Sequence, residues 1–167
     1  MGEEKEIITR FSEYLNWLRE IEKIDESKWS EPIAKGKWSV SEIIGHIMYW
    51  DRYLITEVLS SIRQGNEITF PEFDSFNHQA SFYVRSGGSQ AALIKEAIEA
   101  RGSLVKGLYE LPTATLKKQV TVNGVADCPH TGNPYTLLYI VEEFIEHDHH
   151  HQKQVERSIT RHDSSFS

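Results

Sequence analysis

The chain has 167 residues, which suffices for one domain with a hydrophobic core and is too short for two domains of ordinary size. Its formal net charge is −7 and no segment clusters Lys or Arg, so a nucleic acid is not an expected partner. No apolar run reaches the roughly 18 to 20 residues that cross a bilayer, and the first six residues are polar and acidic, which predicts a cytoplasmic protein.

Regular spacing of apolar residues predicts a first helix over about residues 4–23. The residues that share its face are Ile7, Phe11, Tyr14, Leu18 and Ile21. They recur at steps of three or four, which is the period of one helical face. The helix is therefore expected to bury one side in a core.

A capping box predicts where the second helix begins. Ser39 precedes Glu42 by three residues, so each side chain can satisfy the other's free backbone amide, and the helix should start near Val40. Its apolar stripe is formed by Ile43, Ile47, Trp50, Leu54 and Val58. The pattern fades toward Gly65, where the helix is expected to end.

The connection that follows, residues 63–88, is long, yet it contains four Phe and one Tyr. We expect an ordered crossover or a short helix there rather than a flexible linker. Ser89 is predicted to cap a third long helix, which should end before Pro112. Its apolar face is formed by Leu93, Ala97, Ala100, Leu104 and Leu108.

Residues 116–132 break the helical pattern. Alternating residues lead into Asn123-Gly124, a pair typical of tight turns, so a small hairpin or irregular loop is expected. Asn133 is then predicted to cap the fourth helix, with Pro134 at its first position. That helix should run to about Ser158.

Four amphipathic helices in a chain of this length predict an all-α protein with a four-helix bundle. The expected bundle is of the kind that has a long crossover between its second and third helices and a small irregular or hairpin insertion before the fourth. We expect a single domain over residues 1–160, followed by a frayed tail at 161–167.

The segment EHDHHHQKQ, residues 146–154, places four histidines in five consecutive positions. The inward stripe of the fourth helix is formed by Leu137, Ile140, Phe144, His147, His151 and Gln154. His147 and His151 thus occupy core-facing positions. His149 lies about 200° around the helix from His147 and should face solvent, while His150 lies on the flank.

Two imidazoles four residues apart on a helix can bind one ion, and a metal site needs a third ligand from a facing element. His46 stands between Ile43 and Trp50 on the second helix, at inward spacing. A single cysteine, Cys128, excludes a cysteine-rich zinc module, so any metal must be held by His and carboxylates. The alternative is that these histidines are hydrogen-bonded core residues, although burying both imidazoles of the fourth helix leaves several ring nitrogens in need of partners.

Other groups near the cluster suggest weaker alternatives. Glu146 and His149 fit half of a di-iron carboxylate pattern, but the second helix offers no matching pair. Asp148 or Glu143 could orient a ligand imidazole by accepting its second N–H. The remaining candidates, each with a simpler explanation as a loop, surface or core residue, are Cys128, His130, His78 and the four tryptophans.

Three segments, GKWSVSEIIGHIMYWDRYL, FDSFNHQA and EHDHHHQKQV, occur in this order. Together they resemble the DinB/YfiT-like superfamily of bacterial metal-dependent hydrolases, over about residues 7–157. The resemblance implies that a histidine of the second helix and a His-x-x-x-His pair of the fourth bind a divalent metal, zinc or nickel. Carried over by motif, the ligands are His46, His147 and His151.

An ion held by three neutral imidazoles keeps its positive charge and makes water or a thiol easier to deprotonate. The resemblance implies two uses of such a site, namely hydrolysis of a small substrate or transfer of a low-molecular-weight thiol, as in the bacillithiol and mycothiol S-transferases. Of these we expect the thiol transferase or isomerase type, in a homodimer. The competing hypothesis is a non-catalytic bundle that binds a metal or another ligand.

Overall fold

The structure is a computed structural model that describes residues 2–65 and 67–164, with the side chains of the last helix described to residue 160. Its helices in chain order are α1 Glu3–Ser12, α2 Tyr14–Ile21, α3 Glu26–Trp29, α4 Val40–Tyr53, α5 Leu59–Gln64, α6 Phe73–Arg85, α7 Gln90–Tyr109, α8 Thr113–Lys117 and α9 Leu137–Ser164. A π-helical segment, Leu54–Val58, joins α4 to α5. None of the helices in these described ranges is long and apolar enough to cross a membrane.

The bundle has four long helical units, which we call rods. The first is α1 followed by α2, the second is α4 followed by α5, the third is α7 and the fourth is α9. The rod α4 packs against α6, α7 and α9, while α1 packs against α7 and α9. The core lies between them, and its most deeply buried apolar side chains include Phe11, Leu18, Ile44, Ile94 and Leu104. The four-helix bundle predicted from the apolar stripes is confirmed.

The first helix differs from its expected form. A one-residue break at Glu13 divides it into α1 and α2, although Glu13 keeps right-handed helical dihedrals, φ −62° and ψ −22°. The second helix begins as predicted, because Ser39 and Glu42 form the reciprocal capping box. Gly65 ends that rod in a left-handed conformation with φ 72°. The crossover is ordered and contains α6, and Ser89 caps α7 as expected.

The insertion before the last helix contains a tight hairpin. Val122 and Val125 exchange backbone hydrogen bonds of 2.9 and 3.0 Å around Asn123 and Gly124. Both turn residues have positive φ, 51° and 80°, as the favoured two-residue hairpin turn requires. The Asn123 side chain accepts a hydrogen bond from the Phe70 backbone amide, which ties the crossover to the hairpin.

The fourth helix begins later than predicted. Asn133 is not its cap and Pro134 is not its first residue, because residues 133–136 are extended and hydrogen-bond to backbone of the insertion on both sides. Thr136 caps the helix instead, its hydroxyl accepting from the Tyr139 amide at 2.9 Å. The described helix continues to Ser164, and residues 165–167 lie outside the described chain. The frayed tail expected over 161–167 stays a prediction.

A buried cluster of charges fastens the rods together beside the histidines. The Arg101 guanidinium of α7 donates to both oxygens of Asp51 on α4 and to both oxygens of Asp148 on α9. It also donates to the Phe11 carbonyl of α1 and lies over the Phe11 and Tyr14 rings. One side chain of α7 thus contacts residues of the other three rods. We call Arg101, Asp51 and Asp148 the arginine clamp.

A glycine on α4 lets the crossover helix α6 approach closely. A Cβ added at Gly45 would overlap the Val84 side chain of α6. We therefore expect Gly45→Ala to lower the free energy of unfolding by about 1 to 3 kcal/mol, measured by urea denaturation, because a stiff β-branched neighbour must move. Gly102 of α7 is the matched control, since nothing lies within 4 Å of its added Cβ. Gly102→Ala should leave stability equal or raise it by about 0.5 to 1 kcal/mol.

Candidate metal centre

Three histidines from two rods meet at one point between α4 and α9. His46 follows Gly45 on α4, and His147 and His151 stand one turn apart on α9. The Nε2 atom of His147 lies 3.0 Å from the Nε2 of His46 and 3.2 Å from the Nε2 of His151. Within the described ranges these residues form the one group of three or more His, Cys, Asp or Glu side chains whose ligand atoms all lie within 4.8 Å of one another.

The convergence of ring nitrogens fits a cation better than a hydrogen-bonded core. Each neutral imidazole has one N–H and one lone pair, so three mutually facing Nε2 atoms cannot all find complementary partners. The Nδ1 atom of His147 is buried and hydrogen-bonds to no described residue. Three nitrogens bound to a tetrahedral ion at roughly 2.0 to 2.1 Å would lie roughly 3.3 Å apart. The observed spacing is close to that value.

The surroundings keep the cluster uncharged, as metal ligation requires. Burial, together with the neighbouring His151, lowers the pKa of His46 to about 3. Burial and the other histidines lower the pKa of His147 to about 3 as well. The pKa of His151 is also lowered by burial, and its hydrogen bond to Gln154 partly opposes that shift. Neutral imidazoles are the form that binds a metal ion.

The groups that orient the imidazoles are not the carboxylates expected from the sequence. Asp148 is buried and directs both oxygens to Arg101, so it does not receive an imidazole N–H. Glu143 is exposed at the edge of a nearby cavity. Gln154 takes this role for His151, with Oε1 2.8 Å from Nδ1. Its place on the inward stripe was the signal that could have identified it.

Three further histidines, His78, His149 and His150, do not belong to the ligand group, although the His150 ring lies 5.3 Å from that of His151. His149 is exposed, as its position on the helix predicts, and so are His150 and His78. Glu146 is exposed and does not join His149 in a second ligand group, so the di-iron alternative has no support in the described residues.

A cavity of about 730 Å³ opens beside the cluster, and His46 and His147 form part of its wall. It lies between α4, α9, the start of α6 and the hairpin. Aromatic rings line much of it, with Trp50 in contact with Phe70, Phe73 and Phe144. Trp50 was predicted to be a core residue, and it is buried. The sequence did not indicate that it also lines a cavity.

The loop thiol is closer to the candidate centre than the sequence suggested. Cys128 and His130 line the same cavity as His46 and His147. A hydrogen bond from the Tyr139 hydroxyl is the main cause that lowers the pKa of Cys128 to about 6. The hairpin brings this residue to the cavity, and no local sequence pattern indicates that placement.

Comparison with known proteins agrees with this architecture. The family model described as the DinB superfamily matches residues 12–155, a range that contains the three histidines. Among solved structures, YfiT from Bacillus subtilis superposes with a TM-score of 0.70 at 14% identity, covering 98% of this chain and 90% of that chain. YfiT is described as a probable metal-dependent hydrolase with an unusual four-helix bundle topology. No curated protein matches this chain.

Proposed function

We propose, from the premise that this chain belongs to the DinB superfamily, that it is a metal-dependent hydrolase whose divalent ion is bound by His46, His147 and His151. The observation that carries the proposal is the meeting of three histidine Nε2 atoms beside an open cavity, whose wall includes His46 and His147. The description of YfiT as a probable metal-dependent hydrolase supports the same reaction class.

The chain would supply three ligands for the ion and a cavity for a substrate. When bound, a divalent ion would provide a Lewis acid that makes water a nucleophile near neutral pH. Gln154 would hold the ring orientation of His151 by accepting its Nδ1–H. The arginine clamp would keep α4 and α9 in register, so that His46 stays opposite His147. The aromatic wall would exclude bulk water from one side of the reacting group.

Hydrolysis replaces thiol transfer as the preferred reaction. None of the described residues that line the cavity is Lys or Arg, whereas Glu143 and Glu146 are among them. Apart from the bound ion itself, a thiol cofactor that carries carboxylates would meet no Lys or Arg on this wall, and the two glutamates would repel it. Zinc and nickel both suit imidazole ligands, so the choice between them is left to measurement. A homodimer stays a prediction.

The test is a paired assay on untagged protein that has been stripped of metal and then reloaded with zinc or nickel. We expect the loaded protein to hydrolyse 1-naphthyl acetate. His151→Ala should lower kcat/KM at least about 100-fold, because the ion loses one of its three protein ligands and binds more weakly. His149→Ala, on the exposed side of the same helix, should retain the activity.

The same assay separates the alternatives. A rate with 4-nitrobenzyl chloride that appears only when cysteine is added would indicate thiol transfer instead. Metal binding without a metal-dependent rate in either reaction would support the non-catalytic bundle and overturn the proposal.

A further inference from the structure

The cavity beside the histidines has an aromatic wall, built from rings in edge-to-face and tilted contact, that the metal site alone does not require. Trp50 is its centre, with ring centroids 6.0 Å from Phe70, 5.5 Å from Phe73 and 6.1 Å from Phe144. The Trp50 indole N–H donates to Asn77 at 3.0 Å, which fixes the ring plane. Aromatic faces held in this way bind flat apolar groups in offset or edge-to-face contact.

One of these rings is unusual because it is left open to solvent. Phe73, the first residue of α6, is 60% exposed although it lines the cavity and contacts Trp50. A molecule in the cavity would cover part of this ring. The volume of about 730 Å³ accommodates a molecule larger than two fused rings.

The charges around the cavity have one sign. Glu143 and Glu146 of α9 are exposed on its wall, and the described lining residues include neither Lys nor Arg. The histidines of the wall are His46, His130, His147 and His150, which are imidazoles and not permanent cations, and His46 is only 4% exposed. With no ion bound, no Lys or Arg of the described lining residues compensates an anionic ligand, whereas a cationic ligand would meet two carboxylates.

We propose that the cavity selects flat, apolar molecules, of aromatic type, that carry no anionic group and whose polar end is neutral or cationic. This proposal rests on the proposed function for the position of the reacting group, which would face His46 and His147 while the ring system lies against Trp50. Binding of the ring system itself does not depend on the metal.

The test measures binding of three matched probes to metal-free protein by isothermal titration calorimetry. The probes are 1-naphthylmethanol, 1-naphthylmethylamine and 1-naphthoate, which share one ring system and differ in charge. Chelator-treated protein is used because a carboxylate would otherwise bind the ion directly. We expect the neutral and cationic probes to bind roughly tenfold more tightly than the anion.

Two phenylalanines of α6 provide a matched pair of variants. Phe73→Ala should weaken binding of the neutral probe by roughly three- to tenfold, because one aromatic contact is lost. Phe82→Ala is the control, since Phe82 is 76% exposed and does not line the cavity. Both changes are at exposed positions, so neither should prevent folding.

A double substitution that removes both carboxylates of the wall is the second variant. Glu143→Gln combined with Glu146→Gln should weaken the amine and strengthen the naphthoate, each by a few-fold, and leave the alcohol unchanged. Tighter binding of naphthoate than of the alcohol, or equal effects of Phe73→Ala and Phe82→Ala, would overturn the proposal. These readouts need no metal and no turnover, so loss of the hydrolase proposal would be seen separately in the metal-loaded assay.

Discussion

His147→Ala is expected to abolish stoichiometric binding of a divalent metal ion. His147 is the middle ligand of the three, since its Nε2 lies 3.0 Å from that of His46 and 3.2 Å from that of His151. Its removal leaves only two ligand imidazoles, those of His46 and His151. The loss in affinity should exceed the roughly 10- to 100-fold that removal of an outer hydrogen-bond partner costs.

The measurement is the metal content of untagged protein after incubation with zinc or nickel and gel filtration, by plasma mass spectrometry. We expect about one ion per chain in the wild type and in His149→Ala, and far less than one in His147→Ala. The control is matched, because His149 is the same residue type two positions away on the exposed side of α9. Retention of the ion by His147→Ala would contradict the three-histidine assignment.

Arg101→Met is expected to lower the free energy of unfolding by about 3 to 5 kcal/mol, the cost of leaving buried charges without their partner. The Arg101 side chain is fully buried, with donor distances of 3.0 Å to both Asp51 oxygens and of 2.8 and 3.1 Å to those of Asp148. Methionine fills much of the space but leaves two buried carboxylates uncompensated. Urea denaturation at pH 7.5 measures the change.

The pH dependence distinguishes lost charge compensation from lost packing. Burial already raises the pKa of Asp51 to about 6 and also raises that of Asp148, and removal of Arg101 raises both further. A carboxyl group whose folded pKa lies above its unfolded value destabilises the fold above the folded pKa. That cost disappears as pH falls toward the unfolded pKa. The deficit of Arg101→Met should therefore be smaller at pH 5.5 than at pH 7.5.

A surface pair supplies the control for this prediction. Arg52 lies 3.6 Å from Glu96, and both side chains are partly exposed. Arg52→Met should change the free energy of unfolding by less than about 1 kcal/mol, because solvent screens such pairs. An effect of Arg101→Met no larger than that of Arg52→Met would show that the clamp contributes little to stability, whereas a large but pH-independent deficit would show that it contributes through packing alone.

Local patterns in the sequence determined the helices and the side each presents to the core. The capping box of Ser39 and Glu42, the Ser89 cap and the Asn123-Gly124 turn all lie where they were predicted, because each involves residues within three or four positions of one another. The inward positions of His147 and His151 and the outward position of His149 follow from the helical period in the same way.

The tertiary structure decided which distant residues the helices and the insertion contact. The insertion pairs with residues 133–136 on both sides, which overrides the local capping signal of Asn133 and delays the helix to Leu137. Asp148 stands beside His147 in sequence, yet it turns to Arg101, 47 positions away. His46 meets His147 across 101 positions, and the aromatic cavity needs the crossover, the hairpin and two rods together. Such contacts depend on the angles at which helices pack and on competition between distant partners, and a residue's own neighbours in the chain carry no signal of either.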